Sequence, residues 1–203
     1  MPEAWVPGYP QLRVALARQI AVTEKPRQIG ADSLSVLRAE TNELARTLPD
    51  SLGMLTSEVL DTAITAIVDS RRLLCVANGL SAPLAIDLAM RLTAAGRSSE
   101  FIADALGQQV AARQLTRDDA VVVISGSCAN ELSLRVAHAA TIAGATVVAV
   151  TSFAASPLVN FADITLVIAS VHASFQDELE HTSRIAHAVF LHSLIPPHCR
   201  APW

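Results

Sequence analysis

Four consecutive β-branched residues, Val121-Val122-Val123-Ile124, constrain this chain more than any other stretch. Asp118 and Asp119 precede them, and a small polar loop follows, Ser125-Gly126-Ser127-Cys128-Ala129-Asn130. A strand without polar alternation has no face to give to water, so it belongs in a parallel sheet covered on both sides. The loop then opens onto a helix. Hydroxyls and backbone N–H groups gather there, where the helix dipole favours an anion. Ser127 or Asn130 can also be read as a simple N-cap. A second loop of the same kind upstream moves the reading toward a ligand.

That second loop is Asn78-Gly79-Leu80-Ser81, which follows the strand-like run Leu73 to Ala77. It leads into a helix with Leu84, Leu88 and Leu92 at i, i+4 spacing, ending at Gly96. A short strand near Ser99–Ile102 and a helix near Ala105–Gln114 come next. After the central strand, a helix from Glu131 to Ala143 turns Leu132, Val136, Ala139 and Ala140 inward and stops at Gly144. Ala145 to Val150 is a strand ending in Thr151-Ser152, and Ser156-Pro157-Leu158 starts one turn of helix. Asp163 to Ile168 is a fifth strand, and a last helix runs from about Phe175 to Leu194, ahead of Pro196-Pro197. Strands separated by helices of ten to fifteen residues mean crossover connections. The expected fold is α/β: a three-layer, doubly wound, five-stranded parallel sheet, preceded by N-terminal helices.

The N-terminal part reads differently. Residues 1–9 carry Pro2, Pro7 and Gly8 and should be irregular, and Leu12 to Val22 is a short helical stretch. From Asp32, Leu34, Leu37, Leu44 and Leu48 make one narrow helical stripe, with Thr41 filling its gap. Such a helix either packs on the domain or crosses to a second subunit. Pro49, Asp50 and Gly53 separate it from a helix over about Thr56 to Asp69. The expected division is a helical segment over 1–50 and a sheet domain over 51–203.

Composition narrows the function. The chain is 51% hydrophobic and 17% charged with a net charge of −4, enough for a large core and without the basic patch that nucleic-acid binding needs. Cys75, Cys128 and Cys199 match no metal-ligand spacing and no disulfide framework. With Cys75 in a strand, this points to a reduced, cytoplasmic protein. No secretory leader and no membrane span are expected, since the start lacks a basic and an apolar region and the apolar runs are strand-length.

In doubly wound sheets, ligands sit at the carboxyl ends of the strands. Three loops leave those ends with small hydroxyl residues: Ser81, then Ser125 and Ser127, then Thr151 and Ser152. A full G-x-G-x-x-G and a P-loop lysine are both missing, so a dinucleotide fits poorly and no cofactor is expected. Neutral donors of this kind suit a phosphorylated, hydroxylated ligand.

These residues resemble the sugar isomerase (SIS) domain, whose first loop commonly reads G-x-G-x-S and whose second reads S-x-S-G-x-T. Here the first loop keeps Gly79 and Ser81 and has Ala77 for the first glycine. The second keeps Ser125 and Ser127, with Cys128 for glycine and Asn130 for threonine. Gly144-Ala145, Thr151, Ser156-Pro157-Leu158 and Ala162-Asp163 extend the likeness over about residues 55–195. Ser183-Arg184 and the apolar row after them are most similar to the effector half of RpiR-type transcription regulators, and residues 8–17 resemble the end of their DNA-binding domain. The resemblance implies a sheet in flavodoxin-like order that binds a phosphorylated sugar or amino sugar through Gly79, Ser81, Ser125, Ser127, Cys128, Asn130 and Thr151. A homodimer is expected, since the N-terminal leucine stripe and the last helix both offer apolar faces. The resemblance implies contact with DNA only through a helix-turn-helix domain, which is expected to be incomplete here because only seven residues precede Gly8. Cys128 puts a side chain where the loop usually approaches its ligand, and Asn130 reaches farther than threonine. Either the ligand differs from the usual one or the site is weakened.

An isomerase of this family needs a general base to move a proton between two sugar carbons. Glu178, Glu180, His181 and His172 are the residues available, all around the start of the last helix. Acids in a first turn also serve the helix dipole alone, and His172 also reads as a loop residue. His187, His192 and His198 lack metal-ligand spacing and read as helix-surface or core-edge residues, so no metal is expected. Cys128 at a helix N-terminus has the setting for a lowered pKa but no base partner in the sequence. The reading is a ligand-sensing, dimerising effector domain rather than an enzyme. The alternatives are a sugar-phosphate aldose–ketose isomerase and a structural dimerisation module with a degenerate pocket.

Overall fold

Alternation of side chains along each strand decides how this chain layers. Residues 32–126, 130–169 and 182–195 are described by the computed structural model. The readings made for residues 1–31, Ser127, Cys128, His172, Glu178, Glu180, His181 and His198 lie outside them. Helix α1 is Ser33–Thr47 and α2 is Ser57–Asp69, followed by β1 (Leu73–Val76), α3 (Ala82–Ala94), β2 (Glu100–Phe101) and α4 (Ala105–Arg113). Then come β3 (Ala120–Ile124), α5 (Glu131–Ala143), β4 (Thr146–Thr151), β5 (Ile164–Val167) and α6 (Thr182–Leu194).

The five strands form one parallel sheet in the order β2-β1-β3-β4-β5. Within β3, Ala120, Val122 and Ile124 face one layer with Leu73 and Cys75 of β1 and Val148 and Val150 of β4. Residues of α2, α3 and α6 cover that layer: Ala63, Ile67, Leu88, Leu92, Phe190 and Leu191. Val121 and Val123 face the other, with Leu74, Val76, Val147 and Ala149, under Ala112 of α4 and Val136, Ala137 and Ala140 of α5. Every side chain of β1 and β3 is buried, as an unalternating strand requires. No single helix among the described residues is long and apolar enough to cross a membrane.

Local chemistry sets the helix ends. Asp32, Thr56, Asp104 and Asn130 each cap a helix through a side-chain oxygen that accepts backbone N–H groups. Gly144 ends α5 in the left-handed region at φ 80°, the C-terminal stop expected of it. Arg97 closes the far end of α2: its guanidinium donates to the carbonyl of Ile67 at 2.8 Å and to the carbonyl of Ser70.

Two expectations are corrected. Leu132 does not turn inward; it is 41% exposed, and Ser133 takes the buried place. A small polar residue is wanted there because Ser133 meets the half-buried Asn78 amide from the β1 exit loop. The helical turn begun at Ser156 is present: Val159 N–H donates to the Ser156 carbonyl at 3.1 Å, and a 3-10 turn over Val159–Phe161 completes it. Helix α1 does not pack along its length on the domain. Residues 32–42 are all exposed, and contact with the core begins only at its foot, near Leu48.

Candidate functional site

Parallel register brings three strand exits to one edge. Val76 pairs with Val123 and Ile124 with Val150, so the loops after β1, β3 and β4 leave side by side. Helices α3 and α5 both begin there, aiming two positive dipole ends at the same edge.

In the first loop, Asn78 is extended and Gly79 sits at φ 60°, a left-handed conformation that glycine adopts without a Cβ penalty. A 3-10 turn over Gly79–Ser81 then feeds α3. Ser81 occupies the N-cap position, but its backbone is already helical and its hydroxyl makes no capping bond. That side chain is half-buried, and its oxygen is not committed to the helix.

In the second loop, Ser125 is buried and its N–H donates to the Val150 carbonyl at 3.0 Å. Asn130 caps α5: Oδ1 accepts from Leu132 N–H at 3.0 Å and Ser133 N–H at 3.4 Å. The cap reading therefore holds for the oxygen. The amide nitrogen faces the first loop, because a methyl group added to Gly79 would lie 3.9 Å from Asn130 Nδ2. The two loops are in van der Waals reach of each other.

The third loop closes onto the second through Ser152 N–H, which donates to the Gly126 carbonyl at 3.2 Å. Thr151 is wholly buried, and its Oγ1 accepts the Phe153 N–H at 3.2 Å. Among the described residues, the buried hydroxyls of Ser152 and Ser156 find no hydrogen-bond partner. Among the described residues of these three loops none is charged. Glu131, the first acid beyond them, is exposed and paired with Arg135.

Three polar residues here were not among those singled out in the sequence. Asn78 Nδ2 donates to Gln108 Oε1 at 3.0 Å and to Ser133 Oγ at 3.1 Å. Gln108, fully buried on α4, donates through Nε2 to the carbonyls of Ile102 at 2.7 Å and Ala77 at 3.2 Å. The available signal was Gln108 in line with the small residues Ala105, Ala111 and Ala112 of the same helix.

Other chemistry lies elsewhere or is silent. Burial pushes the Cys75 thiol up to about 12, so it is a core residue and no nucleophile. His187 is buried in the core rather than at its edge, while His192 is exposed. Among the described residues, no three His, Cys, Asp or Glu side chains converge on a metal-sized site. A groove of about 580 Å³ on the outer face of α3 is lined by Ile86, Met90, Phe101 and smaller neighbours. Its lining is mainly apolar, and its two hydroxyls, Thr93 Oγ1 and Ser99 Oγ, lie 3.3 Å from each other, with Ser99 Oγ donating to the Ala89 carbonyl at 2.8 Å.

The family model described as the SIS domain matches residues 66–191. The HTH-type transcriptional regulator HexR of Pseudomonas aeruginosa is 28% identical over 78% of this chain and 57% of its own length. An uncharacterised HTH-type transcriptional regulator of Caldanaerobacter subterraneus is 24% identical over 83% of this chain and 61% of its own. The chain thus spans about six tenths of the curated relatives it matches. Among solved structures, the Vibrio vulnificus NanR protein complexed with ManNAc-6P superposes with a TM-score of 0.77 at 19% identity, over 92% of this chain and 67% of NanR. At that identity the likeness is one of fold.

Proposed function

We propose a function from one premise: this chain belongs to the SIS domain family. On this reading it is the sugar-phosphate-sensing, dimerising effector part of an RpiR-type transcription regulator. A phosphorylated sugar or amino sugar binds at the carboxyl edge of the sheet. Ser81, Ser125, Ser127 and Asn130 give it hydroxyl and amide donors, and the positive dipole ends of α3 and α5 favour its charge. Thr151 and Cys128 belong to the same ring of residues, and Gly79 keeps the first loop open to the ligand. The curated relatives carry the names of regulators, which favours sensing over turnover.

One observation carries the reading most: two helix N-termini meet at loops without charge, with Gly79 and the Asn130 amide in reach of each other. Such a site holds a phosphate dianion through N–H and O–H donors without burying a lysine. Helix α1 supports the dimer. Leu34 and Leu37 are 53% and 59% exposed, and a fifteen-residue helix exposed over most of its length is marginal in water by itself. A second copy supplies the cover. Light scattering is expected to give a dimer, and a monomer at all concentrations contradicts this part.

The test is a thermal-shift panel of sugar phosphates and their unphosphorylated parents, with each sample followed by phosphorus NMR. A shift with one phosphate, none with its parent and no new phosphorus signal supports the sensor. A new signal growing with time establishes an isomerase instead. An intact dimer that answers to no member of the panel leaves a structural module.

A further inference from the structure

Asn78 stands between β1 and the positive-φ Gly79, and its side-chain amide reaches away from its own loop to two other elements. One N–H goes to Gln108 Oε1 on α4 at 3.0 Å, the other to Ser133 Oγ on α5 at 3.1 Å. The orientation of both amides follows from the chemistry. Gln108 spends its Nε2 on the carbonyls of Ala77 and Ile102, so it must present Oε1 to Asn78. Asn78 must then give its NH2 group. Ser133 is buried within the first turn of α5, and its own N–H is held by the Asn130 cap. Loop one, the start of α5 and the middle of α4 therefore meet in one set of hydrogen bonds, in which Gln108 and Ser133 are buried and Asn78 is half-buried. Breaking any member strands a buried polar group, which is why such a network holds a single geometry.

We propose that Asn78, held by Gln108 and Ser133, is a positioning residue that locks the Gly79–Ser81 turn onto the N-terminus of α5. The two halves of the edge site then form as one unit before any ligand arrives, and a preformed site does not lose affinity to loop ordering. The lock is a property of the free protein. Its consequence for affinity rests on the sugar-phosphate reading above.

The experiment compares Ser133→Ala and Asn78→Asp with the wild-type chain. The second variant keeps the size of the side chain but cannot donate. Amide hydrogen exchange is followed by NMR in the free protein, and glucose 6-phosphate and N-acetylmannosamine 6-phosphate are titrated as probes. In both variants, exchange at Gly79–Ser81 is expected to rise about tenfold while amides of β3 and β4 stay as in wild type. Affinity for a probe that wild type binds is expected to fall about tenfold. Unchanged exchange at Gly79–Ser81, or equal acceleration across the sheet, overturns the lock. Faster loop exchange with wild-type affinity overturns the positioning role. Faster loop exchange where wild type binds neither probe upholds the lock and counts against the ligand reading alone.

Discussion

The two ends of β3 are chemical opposites. At its entry, Asp119 is buried and ionic. Its carboxylate accepts Thr116 N–H at 2.8 Å, the Thr116 hydroxyl at 2.9 Å, Arg71 Nη2 at 3.0 Å and Arg72 N–H at 3.1 Å. Burial pushes this carboxyl up, but the bonds from Thr116 and Arg71 outweigh it, and its pKa lies below the ordinary value of 3.8. At the exit, thirteen ångströms or so of strand away by the usual rise per residue, the same sheet ends in hydroxyls, amides and helix N-termini. A charge at the entry is fully paid for by fixed partners and serves stability. The exit keeps its donors neutral, and Ser81 keeps its oxygen out of capping. Neutral donors with no fixed counter-ion suit a charge that comes from outside.

The comparison breaks first at Asp119. Asp119→Ala should cost about 3 kcal/mol, since it removes bonds to a charged group and strands their donors. Denaturant titration would show the loss, and ligand affinity should not move. Because the folded pKa is depressed, this carboxylate contributes stability that is present above the unfolded value and lost as pH falls through the folded one. Asp119→Asn should therefore flatten the fall of stability with acid below about pH 4. An unchanged acid limb would assign the fall to other carboxylates.

At the exit, Ser127→Ala or Ser81→Ala should weaken a bound sugar phosphate by about 1–3 kcal/mol, the range for a hydrogen bond to a charged group. Stability of the free protein should stay near wild type, the reverse of Asp119→Ala. A wild-type-like affinity removes that serine from the site. Gly79→Ala sharpens the contrast with a smaller effect on both properties. There is room for the methyl group 3.9 Å from Asn130, but φ 60° costs about 1 kcal/mol for a residue with a Cβ. The smallest effect concerns Cys75, inside β1 between the two ends. Mapped by mass spectrometry, it should take up no alkylating reagent until the protein unfolds.

The sheet was legible in the sequence because its strands are β-branched runs with no polar alternation, while the strand order came with the family resemblance. Helix α5 was legible at both ends, since Asn130 and Gly144 carry cap chemistry in their own side chains or lack of one. The interior of the site was not. Asn78 lies 30 residues from Gln108 and 55 from Ser133, and no local pattern couples residues that far apart. The same contact explains the misplaced Leu132: periodicity favours a leucine inward, while the Asn78 amide selects Ser133. Exposure of α1 was also beyond periodicity, because a leucine stripe is the same whether its cover belongs to this copy or another.

The most direct test of a neutral, phosphate-reading exit is calorimetry on wild type, Asp119→Asn and Ser81→Ala. Each is titrated with the sugar phosphate selected by the thermal-shift panel and with its unphosphorylated parent. Saturable heat with the phosphate only, kept in Asp119→Asn and weakened in Ser81→Ala, is the predicted result. Equal binding of the parent sugar, or a Ser81→Ala protein that binds the phosphate like wild type, would contradict it.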